Sequence, residues 1–230
     1  MKTIGLLGGM SWESTVTYYT RINELMNETL GGLHSAKIKL ASVDFEEIER
    51  CQAANEWEKS GEILGKEAQR LEQAGADFLV ICTNTMHKVA SQIADYLTIP
   101  ILHIADATIA ELQVKGIKKV ALLGTKYTMT QDFYKKRLSD SGMEVWIPND
   151  AEIDTMNQII FEELCHGKIV SESKAMFVSV IEEAIAAGAE GVILGCTEIG
   201  LLIQQADAAI PVFDTTEIHS QKAVEQALAE

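Results

Sequence analysis

Short apolar runs alternate with amphipathic stretches along the whole chain. The apolar runs predict parallel strands, because a strand covered by helices on both faces has no polar side to alternate with. The predicted strands cover residues 3–8, 38–43, 78–82, 99–104, 119–123, 144–147, a run ending at 194, and 208–212. The predicted helices cover about 14–30, 58–74, 86–96, 106–116, 131–140, 152–166, 173–187 and 216–228, with a loop or short helix at 44–52. Strands that alternate with helices in this way predict an α/β fold.

The second half of the chain repeats the first. The stretch 187–199 matches 74–85 when the sequence is shifted by 113 residues (188 − 75), so that Cys196 aligns with Thr83. Two further matches occur in the same order, 4–8 with 120–124 and 99–101 with 210–212. Three ordered matches indicate an internal duplication of a strand and helix unit.

The duplication predicts two pseudo-symmetric lobes of about 100 residues each. We expect an N-terminal lobe of residues 1–98 plus 208–230 and a C-terminal lobe of residues 99–207, each a three-layer αβα unit with a mainly parallel sheet. Ligands of open α/β sheets bind outside the carboxyl ends of the strands. If a pseudo-twofold axis relates the lobes, Thr83 and Cys196 flank one cleft, and we expect the active site there.

Composition narrows the range of partners. The 230 residues carry a net charge of −15, which argues against nucleic acid and anionic membrane surfaces but allows a small anionic substrate bound by a local arginine. The four cysteines have no CxxC spacing and the histidines have no metal-ligand spacing, so no metal site is predicted. Free thiols, together with the lack of a signal or membrane-spanning pattern, predict a cytoplasmic protein.

Cys196 is the best candidate for chemistry. It follows a predicted buried strand and precedes the polar pair Thr197 and Glu198. We expect backbone N–H groups of a following helix to favour its thiolate, which would make it a usable base near neutral pH. Cys82 lies one residue before Thr83, so strand alternation points its thiol away from the predicted cleft.

Four motifs resemble the aspartate/glutamate racemase family and together cover essentially the whole chain. They are Gly-Leu-Leu-Gly-Gly-Met at 5–10, Thr-Asn-Thr-Met-His at 83–87, Leu-Leu-Gly-Thr-x-x-Thr at 122–128 and Leu-Gly-Cys-Thr-Glu at 194–198. Glu198 is similar to the aspartate racemase branch, since glutamate racemases of cell-wall synthesis carry His there. The resemblance implies an amino-acid racemase that needs no cofactor, including no pyridoxal phosphate, and that forms a homodimer.

The resemblance also implies a mechanism. In this family one thiolate removes the α-proton of the amino acid, and an opposing thiol returns a proton to the other face. Cys196 matches the second catalytic thiol, whereas Thr83 stands where the first motif usually has cysteine. We therefore hypothesise that Cys196 deprotonates L-aspartate or L-glutamate, and that the Thr83 hydroxyl or a water protonates the opposite face. Turnover from D-substrates is then slow or absent.

Substrate-binding residues follow from the same resemblance. Arg50 matches an arginine that pairs with the side-chain carboxylate of aspartate, although its residue type alone also fits a solvated charge. Glu198 is expected to bind the ammonium group or to tune Cys196. The other expected binding residues are Met10, Gln52, Asn84, Thr85, Thr125, Thr128 and Thr197. Cys165 stands where aspartate racemases carry a lysine, so the substrate range could extend to other L-amino acids.

Two alternatives remain open from the sequence. A single-cysteine relative of the superfamily, such as an arylmalonate-type decarboxylase or a maleate isomerase, needs only Cys196. A non-catalytic amino-acid binding protein would keep the cleft without turnover. His87, at the start of a predicted helix, is expected to be a structural residue or to support the site.

Overall fold

The computed structural model describes residues 1–229 and divides into two compact units. One unit comprises Met1–Ile104 together with the chain from His219 onward, and the other comprises Ala105–Ile218. Each unit contains one four-stranded sheet in which all the pairings are parallel. The predicted α/β class with parallel sheets is therefore confirmed.

In the first unit the sheet has the order β2-β1-β3-β4. Its strands are β1 (Ile4–Gly8), β2 (Ile38–Ser42), β3 (Phe78–Ile81) and β4 (Ile101–Leu102). Its helices are α1 (Trp12–Leu30), α2 (Phe45–Ala53), α3 (Trp57–Gln73) and α4 (Ala90–Ala94), and a 3₁₀ helix spans Thr85–Val89.

Alternate residues of β1 enter two different apolar cores of the first unit. Leu7 packs in a cluster with residues of α2, α3 and α4, such as Ile48 and Leu64. Leu6 packs in a second cluster with α1 residues, such as Tyr18, and with residues near the chain's C-terminal end. The sheet is thus covered by helices on both faces, which explains why the strand is apolar throughout.

In the second unit the sheet has the order β6-β5-β7-β8. Its strands are β5 (Lys119–Gly124), β6 (Glu144–Trp146), β7 (Gly191–Gly195) and β8 (Val212–Asp214). The helices are α5 (Ile104–Val114), α6 (Lys126–Thr130), α7 (Asp132–Asp140), α8 (Asp150–Glu162), α9 (Ser171–Ala186) and α10 (Ile199–Leu202). The last helix, α11 (Thr215–Leu228), starts in this unit and belongs to the first unit from His219 onward. Shorter 3₁₀ helices span Leu164–His166 and Gln205–Asp207.

The second sheet repeats the strand order of the first, with β5, β6, β7 and β8 in the places of β1, β2, β3 and β4. The register repeats as well, because Leu7 pairs with Ile81 in the first sheet and Leu123 pairs with Leu194 in the second. The duplication predicted from the sequence is therefore present in the topology.

Several elements differ from the sequence prediction. The strand expected over 99–104 is only two residues long, and it pairs with β3 in the first sheet rather than with strands of the C-terminal lobe. The last strand lies at 212–214 instead of 208–212. The helix expected over 86–96 is a 3₁₀ helix followed by the short α4, and the helix α6 lies where no helix is predicted.

Candidate functional site

In the first unit, the end of β1 and the start of α1 lie close together. A Cβ atom at Gly8 would lie 2.4 Å from the Thr15 side chain, so only glycine allows this approach. Ser11 is the N-cap of α1, and its Oγ accepts a hydrogen bond from the Ser14 N–H at 3.2 Å. The Ser14 hydroxyl donates in turn to the Cys82 carbonyl oxygen at 2.8 Å, which ties α1 to the loop that follows β3.

That loop carries three of the predicted site residues. Thr83 is partly exposed, whereas Asn84 and Thr85 are buried with 3% and 8% of their surface exposed. The side chain of His87 reaches back to the loop, where its Nδ1 lies 2.8 Å from the Thr83 carbonyl oxygen. The main-chain N–H of His87 donates to the Asn84 carbonyl oxygen at 3.1 Å. A single residue therefore bonds to two consecutive peptide groups of the loop.

Cys82 does not share the environment of Thr83. Its side chain is fully buried in the apolar cluster that contains Leu6 and Tyr18, and burial raises the pKa of its thiol. This placement in an apolar cluster agrees with the expectation that the Cys82 thiol does not face the predicted cleft. A buried thiol of raised pKa is inert as a base.

Arg50 and Gln52 lie in the last turn of α2. Arg50 is exposed and lines a surface groove of about 460 Å³ together with acidic residues of α2 and with Lys59. Among residues 1–229, Arg50 has no acidic partner within ion-pair distance, so its guanidinium is available to an anion. Gln52 is buried, with 7% of its surface exposed, and Met10 packs in the apolar core of this unit.

In the second unit, two buried threonines follow β5. Thr125 is the N-cap of α6, where its Oγ1 accepts from the Thr128 N–H at 3.4 Å, and the two hydroxyl oxygens lie 3.2 Å apart. A Cβ atom at Gly195 would lie 2.9 Å from the Leu123 carbonyl oxygen and 3.1 Å from the Thr128 methyl group. Strand β7 therefore needs glycine at its last position to pack against this corner.

Cys196 follows Gly195 directly and is partly exposed, as is Thr197. The Cys196 thiol donates a hydrogen bond to the Glu198 carboxylate, with Sγ 3.0 Å from Oε2. Glu198 is buried, with 7% of its surface exposed. The thiol and the carboxylate thus form a close pair at the end of β7.

The environment of Cys196 is the opposite of the one expected from the sequence. Burial first, then the charge of the Glu198 carboxylate, its hydrogen bond and the neighbouring Cys165 raise the pKa of the Cys196 thiol well above its ordinary value. The helix that was expected to favour the thiolate is α10, which is four residues long. The prediction of a lowered pKa is therefore wrong, because burial and the nearby Glu198 carboxylate together outweigh a single helical turn.

Thr83 and Cys196 occupy the same position in their respective sheets. Thr83 stands two residues after Ile81, which pairs with Leu7, and Cys196 stands two residues after Leu194, which pairs with Leu123. The alignment made from the sequence alone thus agrees with the register of each sheet. In each unit a polar side chain thus follows the third strand of the sheet, β3 in the first unit and β7 in the second.

Neither a group of side chains placed to hold a metal ion nor a membrane-spanning helix occurs within residues 1–229. In that range no group of three or more histidine, cysteine or acidic side chains is placed to hold a metal ion. All four cysteines are free thiols. Over the same residues, no helix combines the length and apolar character needed to cross a membrane.

The chain is thus an α/β protein with duplicated parallel sheets, and it carries a hydroxyl and a thiol at matching strand ends. The chain belongs to the Asp/Glu/Hydantoin racemase family, whose sequence profile matches residues 7–223. It is 30% identical over 162 residues to the broad specificity amino-acid racemase RacX of Bacillus subtilis, covering 70% of each chain.

Two solved structures share the whole fold. One is a protein of Yersinia pestis, named only provisionally as an Asp/Glu racemase, with 51% identity and a TM-score of 0.95 over 100% of both chains. The other is an aspartate racemase homologue of Pyrococcus horikoshii, with 40% identity and a TM-score of 0.88 over 100% of both chains.

The structure also adds residues that the sequence did not single out. One is Ser14, which bonds to the loop after β3. The others are Tyr18 and His219, which are hydrogen-bonded to each other. Cys165 lies close enough to Cys196 to influence its ionisation. Only the four-residue spacing of Thr83 and His87 is a sequence signal, because one helical turn brings such residues onto the same face.

Proposed function

We propose that this protein is an amino-acid racemase that acts on L-aspartate and L-glutamate without pyridoxal phosphate or any other cofactor. The observation that supports the proposal is that Thr83 and Cys196 follow equivalent strands, β3 and β7, at the same register in their own sheets. In the proposed reaction both residues act on one α-carbon. Cys196 removes the α-proton, and the Thr83 side returns a proton to the opposite face.

Cys196 starts the proposed reaction as a thiol, because burial and Glu198 raise its pKa. A substrate ammonium group beside Glu198 would neutralise the carboxylate's effect on the thiol and so lower the thiol's pKa. The thiol then loses its proton to water, and the thiolate takes the α-proton. Substrate binding thereby activates the base only when an amino acid is present.

Thr83 acts as a proton donor in the proposed reaction. A threonine hydroxyl is too weak an acid to persist as an anion at neutral pH. When it donates its proton to the carbanion, a water must therefore donate a proton to the threonine oxygen at the same time. The same property makes Thr83 a poor base toward D-substrates. We therefore propose that proton removal is faster from the L-enantiomer than from the D-enantiomer. Racemisation itself has the same kcat/KM in both directions, because the two enantiomers have equal free energy.

Binding groups complete the proposal. The Arg50 guanidinium pairs with the side-chain carboxylate of the substrate, which its exposed position and lack of an acidic partner among residues 1–229 support. Asn84, Thr85, Thr125, Thr128 and Thr197 hold the α-carboxylate and the amine, with Met10 and Gln52 nearby. The net charge of −15 makes a local arginine necessary to attract an anionic substrate.

Two substitutions test the proposal. Cys196→Ser should abolish racemisation of L-aspartate and L-glutamate, measured by chiral chromatography, because a hydroxyl in place of the thiol cannot supply a base. Cys82→Ala is the matched control, since that thiol is buried in the core and should not be needed. Thr83→Cys should give a gain of activity on D-substrates. Full activity in Cys196→Ser, or no gain in Thr83→Cys, would contradict the two-sided mechanism.

A second candidate function has one observation in its favour. A Cys196 thiol held in its protonated form suits one-sided protonation of a carbanion that forms by loss of carbon dioxide, as an arylmalonate-type decarboxylase requires. An arylmalonate offered as substrate separates the two candidates. Release of carbon dioxide with a chiral monoacid product would favour the decarboxylase, and turnover of amino acids alone would favour the racemase.

The proposed enzyme is a cytoplasmic homodimer. Support comes from α1, where Trp12, Val16 and Tyr19 form an exposed apolar stripe at helical spacing, with 64%, 52% and 51% of their surface exposed. Light scattering after size-exclusion chromatography measures the mass directly. A mass near twice that of the 25.2 kDa chain supports the dimer, and a single-chain mass contradicts it.

A further inference from the structure

Three histidines lie together in the first unit below the loop that follows β3. The rings of His87 and His103 have their centroids 4.5 Å apart, and those of His87 and His219 are 5.8 Å apart. All three are buried, with at most 7% of their surface exposed. Burying an imidazole ring costs free energy unless its nitrogens are hydrogen-bonded, and apolar side chains could fill the same space without that cost. The hydrogen bonds of these rings are therefore expected to have a role.

Both ring nitrogens of His87 have partners. Nε2 lies 3.2 Å from the Ile104 main-chain nitrogen and accepts its N–H, so Nδ1 carries the ring proton and donates it to the Thr83 carbonyl oxygen at 2.8 Å. The ring is therefore the neutral Nδ1–H tautomer, with its orientation fixed at both ends. It connects the loop after β3 to the start of α5.

His219 is fixed in the opposite tautomer. Its Nε2 donates to the Leu102 carbonyl oxygen at 2.8 Å, while its Nδ1 accepts from the Tyr18 hydroxyl at 2.9 Å. Its ring packs edge-on against Tyr18 and against His87. Both ring nitrogens of His219 are thus engaged, one by a peptide group and the other by a phenol.

Three consecutive carbonyl groups of the loop are consequently held. The Cys82 carbonyl accepts from Ser14, the Thr83 carbonyl from the His87 ring, and the Asn84 carbonyl from the His87 main chain. Fixing successive peptide planes fixes the direction of the Cα–Cβ bonds between them. The Thr83 hydroxyl is thus aimed by backbone bonds that His87 supplies.

We propose that His87 is a positioning residue for the Thr83 side of the reaction, because its Nδ1–H hydrogen bond to the Thr83 carbonyl sets the direction of the Thr83 hydroxyl. The inference rests on the proposed function, in which Thr83 protonates one face of the substrate. His87 itself touches no reacting atom. Its loss should therefore impair protonation on the Thr83 side more than proton removal by Cys196.

Two isosteric variants separate the two bonds of the ring. In His87→Asn the side-chain amide reaches the position of Nδ1 and can still donate to the Thr83 carbonyl. In His87→Gln the amide reaches the position of Nε2, so the contact with Ile104 is kept and the contact with Thr83 is lost. His34→Gln is the matched control, because His34 is exposed on a loop of the same unit.

The measurement is the ratio of racemisation to α-proton exchange for L-aspartate in deuterated water. Exchange reports proton removal at Cys196, and racemisation also requires protonation from the Thr83 side. We expect His87→Gln to lower the ratio about tenfold or more, since a displacement on the order of 1 Å costs up to about 100-fold in rate. His87→Asn should recover most of the ratio. Equal ratios in the two variants and the control would overturn the inference.

A second readout needs no activity. Long-range ¹H–¹⁵N spectra of the histidine rings in the wild-type protein should show His87 as the Nδ1–H tautomer and His219 as the Nε2–H tautomer. An Nε2–H or a charged His87 at neutral pH overturns the inference. If the wild type shows neither exchange nor racemisation, the proposed function fails, and the ring spectra still decide whether His87 bonds to Thr83.

Discussion

Replacing Glu198 by glutamine removes the carboxylate beside Cys196 and keeps the shape of the side chain. The two atoms that matter are Sγ of Cys196 and Oε2 of Glu198, which are 3.0 Å apart. Because the carboxylate raises the pKa of the thiol, its removal should favour the thiolate.

The size of the effect follows from Coulomb's law. Two unit charges at the 3.0 Å separation interact with about 1.4 kcal/mol even at the dielectric constant of water. An energy of about 1.4 kcal/mol is a factor of roughly ten in an equilibrium, so the thiolate population should rise about tenfold or more. Partial exclusion of water would make the effect larger.

Alkylation by iodoacetamide at pH 7, followed residue by residue with mass spectrometry, measures the thiolate of Cys196. We expect Glu198→Gln to accelerate the alkylation of Cys196 about tenfold or more, and yet to slow racemisation, because the glutamine cannot pair with the substrate ammonium group. Glu172→Gln makes the same charge change at an exposed position of the same unit and serves as the control. Equal alkylation rates in the two variants would refute the electrostatic argument.

Three further predictions concern stability and binding. Gly195→Ala should destabilise the fold by about 1–3 kcal/mol in urea unfolding, because the new methyl group would lie 2.9 Å from the Leu123 carbonyl oxygen. Burial lowers the pKa of His219 to about 4, so the unfolded chain binds the extra proton between pH 6.5 and 4. The free energy of unfolding should therefore fall by up to about 3 kcal/mol as the pH is lowered from 6.5 to 4. The decrease should be smaller in a His219→Gln variant. Arg50→Gln should raise the KM for L-aspartate roughly tenfold or more in steady-state kinetics, whereas Lys59→Gln, in the same groove, should not.

The sheets could be predicted because their signal is local. A buried parallel strand such as β7 is apolar at every position, and the repeated motifs around 83 and 196 show which strands correspond. The structure confirms both inferences through the matching strand orders. The amino-acid composition, in contrast, does not show at which residue a strand ends.

Element boundaries depend on contacts that the sequence does not display. The strand at 101–102 ends early because Ile104 already begins α5, and its N–H is taken by His87. The last strand starts at Val212, where the Gln205 side chain accepts the Val212 N–H and occupies the preceding loop. Both contacts are single hydrogen bonds between a side chain and the main chain, and the hydrophobic periodicity of the sequence does not indicate them.

The electrostatics of the candidate site were the least predictable part. A strand followed by Gly-Cys-Thr-Glu suggests a helix N-terminus that stabilises a thiolate, but the chain folds the Glu198 carboxylate onto the Cys196 thiol instead. The support beneath Thr83 is also tertiary, since Tyr18 and His219 are 201 residues apart in sequence. A contact between residues so far apart in the chain leaves no local pattern in the sequence.

The central claim is that the two faces of the substrate meet different acids and bases, a thiol on one side and a hydroxyl on the other. The most direct test is the rate of α-proton exchange in deuterated water, measured separately for L-aspartate and D-aspartate. We predict rapid exchange from the L-enantiomer through Cys196 and slow or absent exchange from the D-enantiomer, because Thr83 is a poor base. Equal rates from both enantiomers would contradict the claim.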